Sequence, residues 1–211
     1  TYRSFIKEQH DVATFIGVNA FFSWYEDYCK QKNTSTPSQL TAMQVYQECR
    51  IATGYDEYGY LNCGKKQSTL AHEDKLLVWQ VFTSYTRYLD DKKLIDESFY
   101  TFATLPACSM LVVDEAQDLS PIAVNNLHEM SNGQVLFCID SHQSMYDCIP
   151  VLPYMRQQFN ISDDSYVTLA CTYRCPSKIV ALAQHIINEK FFVTGGKSNK
   201  HELAMIRDNL D

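Results

Sequence analysis

The chain has 211 residues, enough for one full core with room for a smaller appended lobe. Hydrophobic residues make up 45% and charged residues 20%, with only 7 Gly and 6 Pro, a balance that excludes disordered and fibrous classes and leans towards helix. The net charge of −7 excludes a broad nucleic-acid-binding face, because neutralising phosphates needs clustered Lys and Arg, and Lys65-Lys66 and Lys92-Lys93 are the only adjacent basic pairs.

In chain order, apolar residues recur at near-helical spacing from Ser4 to about Lys32, with Gly17 and Asn19 as points where the run can break. Residues 33–38 (Asn-Thr-Ser-Thr-Pro-Ser) read as a polar loop with helix-start chemistry, followed by a helix from Ala42 to about Ala52. Residues 54–69 have no period and are expected to be an irregular connection or a mobile insert. A long helix is predicted from Leu70 to about Leu89, its wide apolar face built from residues such as Trp79, Val81, Phe82 and Tyr85.

After Pro106 the pattern changes. Short apolar runs at Met110–Val113, Val135–Ile139 and Tyr166–Leu169 alternate with helical stretches from Pro121, at Val151–Gln158, and from Pro176 to about Asn188. Runs that are apolar on successive residues predict strands buried on both faces, and the alternation predicts a parallel sheet, hence an α/β class.

No apolar stretch reaches the roughly 18 to 20 residues of a membrane span, and Thr1-Tyr2-Arg3-Ser4 opens no signal peptide, so a soluble chain is expected. The eight scattered cysteines, several beside apolar runs (Cys108, Cys138, Cys171), predict buried free thiols in a reducing compartment, cytosol or nucleus. Cys171 and Cys175 have no second pair near them with which to hold zinc.

The chemistry concentrates in Leu111-Val112-Val113-Asp114-Glu115-Ala116-Gln117-Asp118. An apolar strand ending in two acids suits nucleotide hydrolysis. Its carboxyl end opens at the crevice where α/β sheets bind ligands, Asp114 can hold Mg²⁺, and Glu115 can orient and deprotonate the attacking water. A bare Asp-Glu pair is equally what a strand running into an acid-rich first helical turn contains.

The extended string resembles motif II of the UvrD/Rep family of superfamily 1 helicases, a hydrophobic strand followed by Asp-Glu-x-Gln-Asp. Residues 135–146, a strand followed by Asp140-Ser-His-Gln143-Ser144-Met-Tyr146, look like the family's next motif, and Leu169-Ala-Cys-Thr-Tyr173-Arg174 looks like motif IV. The resemblance implies that Gln143 touches the γ-phosphate of ATP and that Arg174 is an arginine finger, roles that a neutral donor–acceptor and a permanently charged fork can fill. It also implies that Asp114, with Gln117, Asp118, Asp140 and Tyr173, serves ATP and Mg²⁺. Thr14 and Phe15 are similar to a Thr-Phe motif that contacts single-stranded nucleic acid, and with Tyr146 they are the implied contacts; the alternative for Thr14 and Phe15 is an amphipathic core helix.

The implied layout is a partial RecA-like P-loop NTPase domain with a helical 1B-like lobe. Residues 1–29 would end the first part of 1A, 30–105 form the lobe, 106–165 carry motifs II and III, and 166–211 carry motif IV and the start of 2A.

Departures from the pattern limit this expectation. No Walker A loop is present: in Gly59-Tyr-Leu-Asn-Cys-Gly64-Lys65-Lys66 a lysine replaces the Mg²⁺-binding hydroxyl, and before Gly196-Lys197-Ser198 Phe191 stands at the first glycine position. The chain starts without Met, and it is expected to be the central fragment of an ATP-dependent DNA or RNA helicase, inactive alone. Asp147-Cys148 stands where the family has a base-stacking aromatic, and Ile139 where it has Gly. The alternative expectation is a degenerate helicase-like domain that binds protein partners through its aromatic-rich lobe.

Overall fold

The structure, a computed structural model, describes residues 1–9, 14–32, 40–65, 67–102, 107–132, 134–140, 143–144, 151–167, 169, 171–172, 174–194 and 207–208. The chain divides into two compact units, Thr1–Asn160 and Ile161–Asp211. The class is mixed α/β, and the described residues form three two-stranded parallel sheets.

In the first unit the order is α1 (Tyr2–Glu8), β1 (Thr14–Ile16), α2 (Val18–Lys32), α3 (Ala42–Ala52), α4 (Glu57–Asn62), α5 (His72–Lys92), β2 (Leu94–Asp96), β3 (Leu111–Val113), α6 (Pro121–Met130), β4 (Val135–Phe137) and α7 (Val151–Gln158). Local chemistry explains several boundaries. Thr41 caps α3 reciprocally: its hydroxyl accepts from the Gln44 N–H at 3.2 Å while Gln44 Oε1 accepts from the Thr41 N–H at 2.8 Å. Pro121 sits at the start of α6, where its missing N–H costs nothing. The predicted polar loop at 33–38 lies outside the described residues.

Helices α2, α3 and α5 enclose an aromatic core. Phe21 and Tyr85 are fully buried, edge to face at 4.8 Å, and Phe21 also meets Tyr46 at 5.0 Å. A second cluster joins Ile6 of α1, Ile95 of β2 and Phe102, with Phe15 of β1 packed against it.

Four expectations for the first unit need correcting. The helical run from Ser4 is interrupted by strand β1, which pairs in parallel with β2, Thr14 opposite Leu94 and Ile16 opposite Asp96. That partner is remote in sequence, so a helical periodicity read locally missed both strands. Residues 54–69 are not wholly irregular, since Asp56 caps α4 by accepting from the Gly59 N–H at 2.7 Å. The strands β3 and β4 are not buried on both faces: Val112 and Leu136 are 59% and 53% exposed, and among the described residues the two strands pair only with each other. The thiols are not uniformly buried either; Cys49 is buried, Cys108 half-buried and Cys138 exposed, and these three, with Cys29, Cys63 and Cys175, are free.

The second unit contains a 3-10 turn (Asp163–Ser165), β5 (Cys171–Thr172), α8 (Ser177–Thr194) and β6 (Arg207–Asp208), with β5 and β6 parallel. The strand expected at Tyr166–Leu169 is absent from the described residues of that run; Tyr166, Val167 and Leu169 are exposed there. Of the two Walker A near-misses, Gly59 lies inside α4, while Lys66 and residues 196–198 fall outside the described residues. Among the described residues no helix is long and apolar enough to cross a membrane.

Candidate active site

Strands β3 and β4 run in parallel with α6 between them in sequence, so their carboxyl ends open on the same side. The ladder continues one step past each strand: the Cys138 N–H donates to the Val113 carbonyl at 2.8 Å, and the Ala116 N–H donates to the Cys138 carbonyl at 3.0 Å. Between these two bonds the chain turns sharply at Glu115, which is left-handed (φ 54°, ψ 39°). A non-glycine residue there costs about 1 to 2 kcal/mol, a local penalty that clusters at functional sites. The turn is held by Asp114 Oδ1, which accepts from the Glu115 N–H at 3.0 Å, and by the 3-10 turn Ala116–Asp118 that follows.

This geometry separates the motif into exposed and buried halves. Asp114 and Glu115 face solvent, whereas Ala116 and Gln117 are buried. Gln117 is the link to the next strand: its Nε2 donates to Glu115 Oε2, and its Oε1 accepts from the Asp140 N–H at 3.1 Å. Asp140, exposed beyond the end of β4, accepts from the Gln143 side-chain amide through Oδ2 and from the Gln143 N–H through its carbonyl at 3.1 Å. Ser144 Oγ lies 3.5 Å from Asp118 Oδ1, at the long limit of a hydrogen bond. Asp114, Glu115, Gln117, Asp118, Asp140 and Gln143 therefore form one connected patch, with the Gln117 amide engaged on both sides within the protein.

The patch presents several carboxylate oxygens to solvent but no closed cage, since no group of three His, Cys, Asp or Glu among the described residues is placed to hold a metal ion. One or two carboxylates with open positions is the donor set Mg²⁺ takes when phosphate oxygens and water complete its octahedron.

Sequence reasoning missed the support beneath the turn. Arg50 of α3 is 3% exposed, and its Nη2 donates to the Asp118 carbonyl at 2.6 Å. Its charge also reaches Asp96, which is fully buried at the end of β2 and accepts from Tyr85 at 3.0 Å, Tyr46 at 3.2 Å and the Ser98 N–H at 3.1 Å. Burial raises the Asp96 carboxyl above its usual range, against the lowering effect of those donors and of Arg50. No sequence pattern flags Arg50, because a lone cation in a helix reads as solvated and its partner is a backbone carbonyl from the other half of the unit.

The remaining expected residues fall elsewhere. Thr14 is exposed and Phe15 half-buried, with Arg3 and Lys7 over the Phe15 ring at 5.8 and 5.4 Å. Arg174 is exposed in the second unit, and Tyr146 and Tyr173 lie outside the described residues. A cavity of about 580 Å³, lined by residues including Phe82, Leu89, Ile95 and Tyr100, is bordered by none of the acidic patch. No protein-family model, no curated protein and no solved structure matches the chain.

Proposed function

We propose that the chain carries the Mg-ATP hydrolysis acids of a UvrD/Rep-like superfamily 1 helicase or translocase. On this reading the first unit contains part of a RecA-like P-loop NTPase domain together with a 1B-like helical lobe. The observation that supports it most is the joining of Asp114-Glu115-Ala116-Gln117-Asp118 to Asp140 and Gln143 at the carboxyl ends of adjacent parallel strands. Two stretches well separated in sequence meet in space through one buried glutamine.

Asp114 would hold Mg²⁺, and the bound ion would neutralise charge on the phosphates. Glu115, exposed and aimed by Gln117, would orient and deprotonate the attacking water. Gln143 would report the γ-phosphate, Arg174 would serve as the arginine finger, and Tyr173 would assist it. Single-stranded DNA or RNA would run past Thr14 and Phe15, where Arg3 and Lys7 add cationic contacts, with Tyr146 a further contact. The phosphate-cradling loop and its lysine would be contributed by residues other than these 211.

The test is nucleic-acid-stimulated ATP hydrolysis by the product of the complete gene. Glu115→Gln is expected to lower kcat at least roughly 100-fold with the fold intact. Failure to find a Walker A loop in that gene, or a Glu115→Gln variant as active as its parent, overturns the reading. One feature favours a second reading, a helicase-like domain that has become a protein-binding module: Asp147-Cys148 offers no surface on which a base could stack. That reading expects no hydrolysis stimulated by single strands.

A further inference from the structure

We infer that Arg50, on a helix of the helical region, is a positioning residue that holds the acidic turn in its working conformation and ties that turn to α3. The inference deepens the hydrolytic reading above and rests on it for its catalytic consequence.

Four observations converge on the C-terminal end of α3. Arg50 Nη2 donates to the Asp118 carbonyl at 2.6 Å, in the turn that contains Glu115 and Gln117. Three residues on, Thr53 Oγ1 accepts from the Ile122 N–H at 3.2 Å, at the start of the helix that leads from the acidic turn to β4. The Tyr154 hydroxyl shares its one hydrogen between Asn125 Oδ1 at 3.0 Å and the Gly54 carbonyl at 3.3 Å, which brings α7 and α6 to the same place. The approach is close as well as bonded: a Cβ on Gly54 would stand 2.6 Å from Pro121 Cβ.

Arg50 differs from Thr53 and Gly54 in what lies on its other side. Its charge acts on Asp96 and Glu97, at and just after the end of β2, and Asp96 is fixed by Tyr46 and Tyr85. The guanidinium therefore holds a carbonyl of the acidic turn by a hydrogen bond while its charge favours the ionised form of a buried carboxyl at the base of the helical core. From that carbonyl the path continues through Gln117 to the carboxylate of Glu115 and to the backbone of Asp140. A planar fork fixes the direction of its donors, whereas an ammonium offers three rotatable ones on a flexible stem and holds an acceptor less rigidly. Glu115 sits in a left-handed conformation that its residue type disfavours, so the turn needs such outside support to stay populated. Any shift of α3 relative to α6 would be passed to the base and to the motif III aspartate together.

Two variants test this. Arg50→Lys keeps a buried cation beside Asp96 but loses the fork, and Arg50→Met keeps only the stem. In the 211-residue chain, hydrogen exchange of the Ala116, Asp118, Leu119 and Asp140 amides is expected to accelerate about tenfold in Arg50→Lys and more in Arg50→Met, with the Tyr25 amide of α2 unchanged in Arg50→Lys. Acceleration spread evenly over all these amides in Arg50→Lys, or none at the turn in both variants, overturns the inference. In the complete protein Arg50→Lys is expected to lower kcat for ATP about tenfold with KM little changed, because Glu115 is displaced while the phosphate-cradling loop and its lysine, the main binding contacts, lie outside the acidic turn. An unchanged kcat, or a loss confined to KM, overturns it too. If the unsubstituted complete protein hydrolyses no ATP, the hydrolytic reading fails by itself and the exchange pattern alone decides whether Arg50 holds the turn.

Discussion

Gly54→Ala isolates the close approach between α3 and the segment after the acidic turn. At an ordinary negative φ, replacing Gly by Ala stabilises a protein by about 0.4 to 1 kcal/mol through the unfolded chain. Gly54 shows no positive φ that would penalise a side chain, so backbone conformation alone predicts a gain. Sterics reverse the sign. The added methyl would meet Pro121 Cβ at 2.6 Å and the Tyr154 ring at 2.6 Å, and the proline ring at the start of α6 has no rotamer with which to move aside. Overpacking of this kind costs about 1 to 3 kcal/mol, so the net effect is a loss of about 1 to 2 kcal/mol. For a unit of 160 residues that corresponds to a fall in Tm of about 3 to 6 °C. Gly17→Ala is the matched control, because its Cβ would meet nothing within 4 Å and its φ is also not positive. Chemical denaturation of both variants, with equal m-values, is the assay. A Gly54→Ala protein as stable as Gly17→Ala would refute the close packing at this junction.

Two further predictions concern charge and backbone. Because burial raises the Asp96 carboxyl, the native state holds its proton to higher pH than the unfolded chain does; its share of stability is complete below about pH 4 and falls as pH rises through the raised native value. Asp96→Asn keeps an oxygen acceptor for Tyr46 and Tyr85 and should flatten the decline of unfolding free energy that sets in above about pH 4; identical slopes for the two proteins would count against a raised carboxyl. At Glu115 the comparison is between Gly and Ala, which both remove the carboxylate and its bond from Gln117. Only glycine relieves the left-handed backbone, so Glu115→Gly should be more stable than Glu115→Ala by about 1 kcal/mol in urea titrations, and equal stability would mean that the turn is not left-handed in solution.

The sequence was most legible where signals are local. Helix α3 begins at Ala42 and α7 spans Val151–Gln158 as expected, because the apolar spacing lies within one or two turns of each boundary and α3 has in addition its polar cap Thr41. Helix α4 went unseen since its cap, Asp56, is embedded in a stretch of Tyr and Gly with no apolar period. Strands β1 and β2 were invisible for a different reason: three residues each carry no pattern, and their stability lies in pairing with one another across the whole of α2 to α5. The acids of the site were legible as a string, but the connection through Gln117 and the anchorage on Arg50 were not. Both depend on contacts whose partners are backbone groups, which leave no trace in residue type.

The left-handed backbone at Glu115 explains why the acidic turn draws support from so far away. Glycine is the residue that such a position favours on stability grounds, and a carboxylate stands there instead. A local penalty of about 1 to 2 kcal/mol is tolerable only if neighbouring groups over-determine the conformation. They do so from three directions: Asp114 Oδ1 holds the amide, the Cys138 carbonyl holds the next residue, and Gln117 holds the side chain. Gln117 and Cys138 lie just beyond the ends of β3 and β4, but the turn they define ends on the Asp118 carbonyl, which is fixed from α3 by Arg50. The orientation of the Glu115 carboxylate is thus a joint property of the small sheet and the helical core, and a change in either alters the acid without touching it.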